Sequence, residues 1–226
     1  MSALDKLRGA LVVSCQPVDD GPMDVPKIVA AMAMAAHAGG AAGFRIEGLK
    51  NLAAVRPVTE LPIIGIVKHD LTTSPVRITP HLDDIAELSR LGADIIAYDA
   101  TERARPTPTS DLVGAIKARG RLAMADCATV ADANRALAEG ADIIGTTLSG
   151  YAYDLAASDA APDLELITAF RKLGGFVMAE GRIYSPDFAK AAMAAGADCV
   201  TVGSAVTRIE HITSWFAHAV SVGGNA

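Results

Sequence analysis

Lys68 closes the apolar run Ile63–Val67, and Glu180 closes Phe176–Ala179. A lysine at the end of an apolar stretch is partly withdrawn from water. This lowers its pKa and offers a neutral amine as base or nucleophile; the alternative is a lysine that simply ends a strand and points to solvent. A carboxylate in the same setting is raised and can serve as acid or base, unless it forms an ion pair with Arg182. Asp99 and Asp126 stand at equivalent ends of two further apolar runs. Asp99 reads as structural and Asp126 as a substrate contact. Arg45 and Glu47, two residues apart on one strand, share a face and suggest a pair aimed into a cavity, or else a polar plug. Gly203-Ser204 precedes a helical stretch, where exposed backbone N–H groups can hold a phosphate; Gly181 would complete that seat, and an ordinary helix cap is the alternative reading.

These residues need a scaffold that brings strand ends together. The phrase Gly-Ala-Asp recurs at Gly92, Gly140 and Gly196, each time after an Ala-rich stretch and before a short apolar run. Gly39–Phe44 is a looser copy. The glycine suits the left-handed residue after a helix, and the apolar run suits a parallel strand covered on both faces. Such copies are what a repeated βα architecture leaves behind. Eight runs qualify as strands: Leu11–Cys15, Gly43–Ile46, Ile63–Val67, Ile95–Asp99, Leu122–Ala125, Ile143–Thr146, Phe176–Ala179 and Cys199–Val202. Helical patterns lie between them, at about 25–38, 49–58, 81–91, 109–119, 129–139, 163–173, 185–195 and 208–219. Strict alternation predicts an α/β fold with a parallel sheet, and eight units predict a single closed (β/α)8 barrel over residues 1–226. An open doubly wound sheet is the runner-up, but no G-x-G-x-x-G follows the first strand. In such barrels chemistry sits past the carboxyl ends of the strands, where all the residues named above fall. The loop from Tyr151 to Pro162 is the longest insertion and is expected to act as a lid.

Length and composition agree. The 226 residues are 51% hydrophobic with mean hydropathy +0.30, near the roughly 250 residues typical of the fold. No apolar run approaches the ~20 residues of a membrane span. The first nine residues carry Asp5, Lys6 and Arg8 and no apolar signal core, so a cytoplasmic location is expected. The net charge of −6, without a long basic run, argues against nucleic acid. Cys15, Cys127 and Cys199 form no CxxC pair, and Cys15 and Cys127 read as small buried residues rather than nucleophiles. The five histidines have no metal-ligand spacing, and only His69 falls near the strand ends, so no metal is expected.

The ordered motifs Val13–Pro17, Phe44–Gly48, Leu61–Lys68, Ile78–Pro80, Asp99–Thr101, Arg103–Pro106, Met124–Asp126, Gly145–Tyr151, Ala179–Arg182 and Val202–Arg208 resemble the N-acetylmannosamine-6-phosphate 2-epimerases of bacterial sialic acid catabolism. The likeness runs from about Leu11 to Phe216. Ala152 stands where that family commonly has threonine, and 154–161 is Ala-rich and idiosyncratic. The resemblance implies reversible conversion of N-acetylmannosamine 6-phosphate to N-acetylglucosamine 6-phosphate with no metal or organic cofactor. It implies Lys68 and Glu180 as catalytic residues, and Gln16, Arg45, Asp126 and Arg182 as sugar contacts. Gly181, Gly203 and Ser204 would hold the phosphate. It also implies a homodimer, for which the Ala- and Met-rich helix near Ile28–Ala36 is one candidate face. Three rivals remain at this point: a Schiff-base lyase using Lys68, a metal-dependent sugar-phosphate epimerase, and a sugar-phosphate sensor without catalysis.

Overall fold

The computed structural model describes residues 2–153 and 161–223. Within them eight parallel strands close in sequence order into a barrel, each bonded to its neighbours and β8 back to β1. The strands are β1 Ala10–Cys15, β2 Gly43–Glu47, β3 Ile63–Ile66, β4 Ile95–Asp99, β5 Leu122–Asp126, β6 Ile143–Gly145, β7 Phe176–Glu180 and β8 Cys199–Val202. The helices are α1 Ala3–Leu7, α2 Pro26–Ala38, α3 Leu49–Val55, α4 Leu82–Arg90, α5 Thr109–Ala118, α6 Val130–Glu139, α7 Leu164–Arg171, α8 Pro186–Ala194, α9 Ser204–Thr207 and α10 Ile209–Gly223. The closed ring disposes of the doubly wound alternative. All eight strands expected from the apolar runs are present, with ends displaced by a residue or less. Two short helices were not anticipated. Both α1 and α9 are too short to display a 3.6-residue period. No described helix is long and apolar enough to cross a membrane. Of the loop expected to act as a lid, residues 154–160 lie outside the described residues.

The side chains sort into two apolar layers by the two-residue period of the strands. One layer fills the barrel: Val12, Ile64, Ile66, Ile95, Ala97, Met124, Ile143, Phe176, Met178 and Cys199, closed from below by Leu7 of α1. The second lies between strands and helices, where Phe44, Ile46, Ile96, Tyr98 and Val177 meet Leu52, Leu88, Ile116 and Phe170. The helix starts follow local chemistry. Thr129 and Ser185 cap α6 and α8 through their hydroxyls, and Pro186 occupies the first turn of α8.

The repeated Gly-Ala-Asp phrase proves to be one structural device used three times. Asp94, Asp142 and Asp198 each precede an even-numbered strand. Each accepts the backbone N–H of a residue in the strand before it: Ile63 at 2.9 Å, Ala123 at 2.8 Å and Val177 at 2.9 Å. Each also pairs with a cation from the helical segment that leads into that preceding strand: Arg56, Lys117 and Arg171. The looser copy before β2 lacks the aspartate. Asp198 additionally receives Arg8, which follows α1 and lies over the Phe176 ring. Charge therefore pins the amino-terminal face of the barrel, opposite the chemistry.

Removing Asp198 should orphan the buried Val177 N–H and release both arginines. An Asp198→Ala variant is expected to lose about 1–3 kcal/mol of stability, seen as a Tm lowered by several degrees. Activity per folded molecule should be unchanged, since the opposite mouth is untouched.

Candidate active site

Inward-facing positions continue upward from the apolar layer and turn polar at the carboxyl ends. On β3 the inward series runs Ile64, Ile66, Lys68. On β5 it runs Leu122, Met124, Asp126, and on β7 Phe176, Met178, Glu180. Lys68 lies just past β3, where its backbone bridges to Ile78. The His69 N–H donates to the Arg77 carbonyl and the Thr79 N–H to the Val67 carbonyl, so a folded-back loop supports the lysine. Asp99 and Asp126 occupy one rung of the sheet.

Arg45 crosses the lumen beneath this rim and is almost wholly buried. Its Nη1 and Nη2 donate to the two oxygens of Asp126 at 3.0 and 2.6 Å. Nη1 also donates to Glu180 Oε2 at 3.0 Å. The Thr147 hydroxyl donates to Asp126 Oδ1 at 2.6 Å. One guanidinium thus serves two carboxylates. Burial pushes the Glu180 carboxyl up to about 7; Arg45 opposes that shift and the charge of Asp126 reinforces it. Burial, with Arg45 and Arg208 nearby, lowers the Lys68 amine from its ordinary value. The Lys68 amine donates to Gln16 Oε1 at 2.6 Å.

Two adjoining chambers open here. The lower, about 300 Å³, is lined by Gln16, Arg45, Lys68, Asp99, Thr147 and Glu180 among others. The upper, about 180 Å³, shares Gln16, Thr147, Tyr151 and Glu180 and adds Ser14, Gly181, Arg182, Thr201, Gly203, Ser204 and Arg208. The candidate proton-transfer pair therefore faces one chamber and the candidate phosphate seat faces the other, with Glu180 common to both. Gly181 has φ +107, in the left-handed region that favours glycine, and this turns the chain over the upper chamber.

Two residues expected to contact sugar are engaged otherwise. Asp126 is fully buried, with both oxygens taken by Arg45 and one also by Thr147. Arg182 lines the upper chamber, but its guanidinium donates to the carbonyls of Ala161 and Ser149. Those bonds hold the loop after β6 and stabilise a positive φ of 56 at Arg182 itself. The ion-pair alternatives also differ. Glu180 pairs with Arg45, not Arg182. Glu47 does not meet Arg45; its Oε1 accepts the Lys68 backbone N–H at 3.3 Å. Asp99 is held by Arg103 and Arg105 and organises the loop that follows it. His69 contacts the Asp84 carboxylate at 2.9 Å. Sequence reasoning assigned no role to Ser14, Thr147, Thr201 or Arg208. The first three could have been found from the two-residue period alone, being one inward step from Gln16, Gly145 and Gly203. Arg208 follows a four-residue helix that the sequence did not disclose.

Comparison with known proteins bears on this arrangement. The family described as "Putative N-acetylmannosamine-6-phosphate epimerase" matches residues 29–222. A "Putative N-acetylmannosamine-6-phosphate 2-epimerase" of Photobacterium profundum is 57% identical over 215 residues, covering 95% of this chain and 91% of that protein. A "Bifunctional enzyme NanE/NanK" of Brucella melitensis is 55% identical over 217 residues; the match covers 96% of this chain and 42% of that longer protein. The solved structure of the N-acetylmannosamine-6-phosphate 2-epimerase from Clostridium perfringens superposes with a TM-score of 0.94 at 40% identity, covering 97% of this chain and 96% of that one. With a family match over most of its length and relatives above half identity, the chain belongs to the N-acetylmannosamine-6-phosphate 2-epimerase family.

Proposed function

We propose that this enzyme interconverts N-acetylmannosamine 6-phosphate and N-acetylglucosamine 6-phosphate by moving a proton at carbon 2, with Lys68 as the proton carrier. The observation that carries the reading is the lowered Lys68 amine facing the raised Glu180 carboxyl across one chamber, beside a second chamber built for an anion. The carbon 2 hydrogen becomes acidic only in the open-chain aldehyde. Lys68 removes it, and a proton returns to the opposite face. Glu180 assists ring opening or serves that second face. Arg45, held at the chamber floor, and Gln16 supply positive charge and donors for the enediol-like intermediate. The phosphate rests against Gly181, Gly203 and Ser204, with Arg208 as the side-chain cation. This anchoring converts remote binding energy into orientation at carbon 2. Arg182 and Asp126 act indirectly, the first by shaping the loop over the seat and the second by fixing Arg45. The charge of the phosphate retains the substrate inside a cell, and the three cysteines are all free. Both support a cytoplasmic enzyme.

The reading extends to a homodimer. Seven barrel units cover their strands with a helix, whereas α10 exposes Ile209, Phe216 and Val220. Beside it an apolar groove runs along Leu11, Ala189, Met193, Val200, Val202 and Val206, on the outer faces of β1, β8 and α8. A helix belongs in that groove, and the exposed apolar face of α10 from a second copy would fill it. The face near Ile28–Ala36 is the weaker candidate, because Val29, Ala30 and Ala33 already pack on the barrel.

Three outcomes are expected. Lys68→Ala should abolish incorporation of solvent deuterium at carbon 2, read by proton NMR; normal exchange would remove Lys68 from the reaction. The profile of kcat/KM against pH should show a limb near 7. Because burial favours the protonated carboxyl below that value, activity should decline on the alkaline side. Glu180→Gln should erase the limb and lower kcat by about 10²–10⁴-fold. In light scattering the protein should weigh about twice its 23.3 kDa chain mass. Replacing Phe216 and Val220 by glutamate should halve that mass.

A further inference from the structure

Gln16 touches both chambers, and its bonds run in one direction. The ammonium form of lysine has only donors, so with Lys68 resting protonated its 2.6 Å contact fixes Gln16 Oε1 toward it. The amide nitrogen is then left to donate to Ser14 Oγ, at 2.7 Å. Ser14 is almost fully buried and lines the upper chamber. Having accepted from Gln16, its hydroxyl keeps its own hydrogen to donate. The chain Lys68→Gln16→Ser14 therefore ends in a donor at the candidate phosphate seat. Beside that end, Thr201 Oγ1 is buried with no hydrogen-bond partner and lines the same chamber. The backbone carbonyl of Gln16 accepts from Arg208 Nε at 2.9 Å, tying the same residue to the cation of that chamber.

We infer that Ser14 and Gln16 are positioning residues that couple the phosphate seat to Lys68: an anion on the seat takes the Ser14 hydrogen and, through Gln16, fixes the orientation of the amine that acts at carbon 2. The inference rests on the reading of Lys68 as proton carrier. Hydrogen bonds aligned head to tail polarise one another, and an acceptor of full negative charge at the end strengthens every link. The surroundings of Lys68 favour such control. Arg45 and Glu47 on β2, Asp19 in the loop after β1, Arg208 after α9 and Glu180 on β7 all act on it. Asp99, Arg103 and Arg77 face it across the lower chamber. The phosphate then does more than hold the sugar, because it sets the orientation of the amine.

The test separates the anion from the sugar. Unphosphorylated N-acetylmannosamine is incubated with the enzyme in deuterated water, with and without inorganic phosphate, and deuterium at carbon 2 is followed. Wild type should exchange faster with phosphate present. Ser14→Ala removes the last donor. Gln16→Glu keeps an acceptor for Lys68 but cannot donate to Ser14. Both variants should lose the activation by phosphate. On N-acetylmannosamine 6-phosphate both should lose about tenfold in kcat, the worth of one hydrogen bond to a charged group, with KM changed by less than about threefold. Activation of both variants as in wild type, no activation of wild type, or losses confined to KM would each overturn the coupling. Wild type that leaves N-acetylmannosamine 6-phosphate unchanged would instead sink the epimerase reading itself, so the two failures are distinguishable.

Discussion

The buried Arg45 guanidinium is the interaction on which the rest of the mouth depends. A cation removed from water carries a penalty of several kcal/mol unless its partners are well placed. Asp126 meets it with two bonds, and the pair is geometrically complete without a third member. Glu180 is then a second carboxylate on a cation already neutralised. That arrangement, with burial, keeps the Glu180 carboxyl far above an ordinary glutamic acid. The packing below is cut to suit. Met124 Sδ lies 3.9 Å from Arg45 Nη1. A side chain at Gly145 would come within 2.8 Å of the Met124 methyl, so glycine on β6 leaves the methionine room beneath the arginine.

How much of this was legible depends on whether the determining contact is local. The barrel was legible because its signals are local and repeated: a left-handed glycine and an aspartate at three of the junctions, and an apolar run at all eight. The rim was legible for a related reason. On a strand buried on both faces, a polar residue at the carboxyl end stands out from its apolar run, as Lys68, Asp126 and Glu180 do. Partner choice was not legible. Arg45 and Glu47 share a face of one strand, yet Arg45 reaches across the lumen to Asp126 and Glu180, while Glu47 turns to the Lys68 backbone. Side-chain reach across a barrel depends on how the strands curl, and no short window of sequence carries that. Arg182 misled for the same reason, since its acceptors belong to the loop after β6.

The two ends of the barrel use the same chemistry for opposite ends. At the base, each repeated aspartate has both a strand N–H and a cation from the helical segment before that strand, so its charge is spent on holding neighbours together. At the mouth the partner is shared, since Arg45 alone pairs with both Asp126 and Glu180. A residue type that stabilises when fully partnered becomes reactive when one partner is shared.

The opposite shifts of Lys68 and Glu180 follow from that sharing and have a joint consequence. Burial favours the neutral form of each, a free amine and a protonated carboxyl. In water near pH 7 an amine and a carboxylic acid rest as ammonium and carboxylate, useless respectively as base and acid, and burial moves each toward the form that can act. Arg45 works in both directions here. Its charge disfavours an ammonium at Lys68 and restrains the rise at Glu180, so the carboxyl stays close to neutrality rather than becoming permanently protonated. A group that must give up and regain a proton on each turnover is served by a pKa near the working pH. The single buried arginine places Glu180 there and also lowers the Lys68 amine.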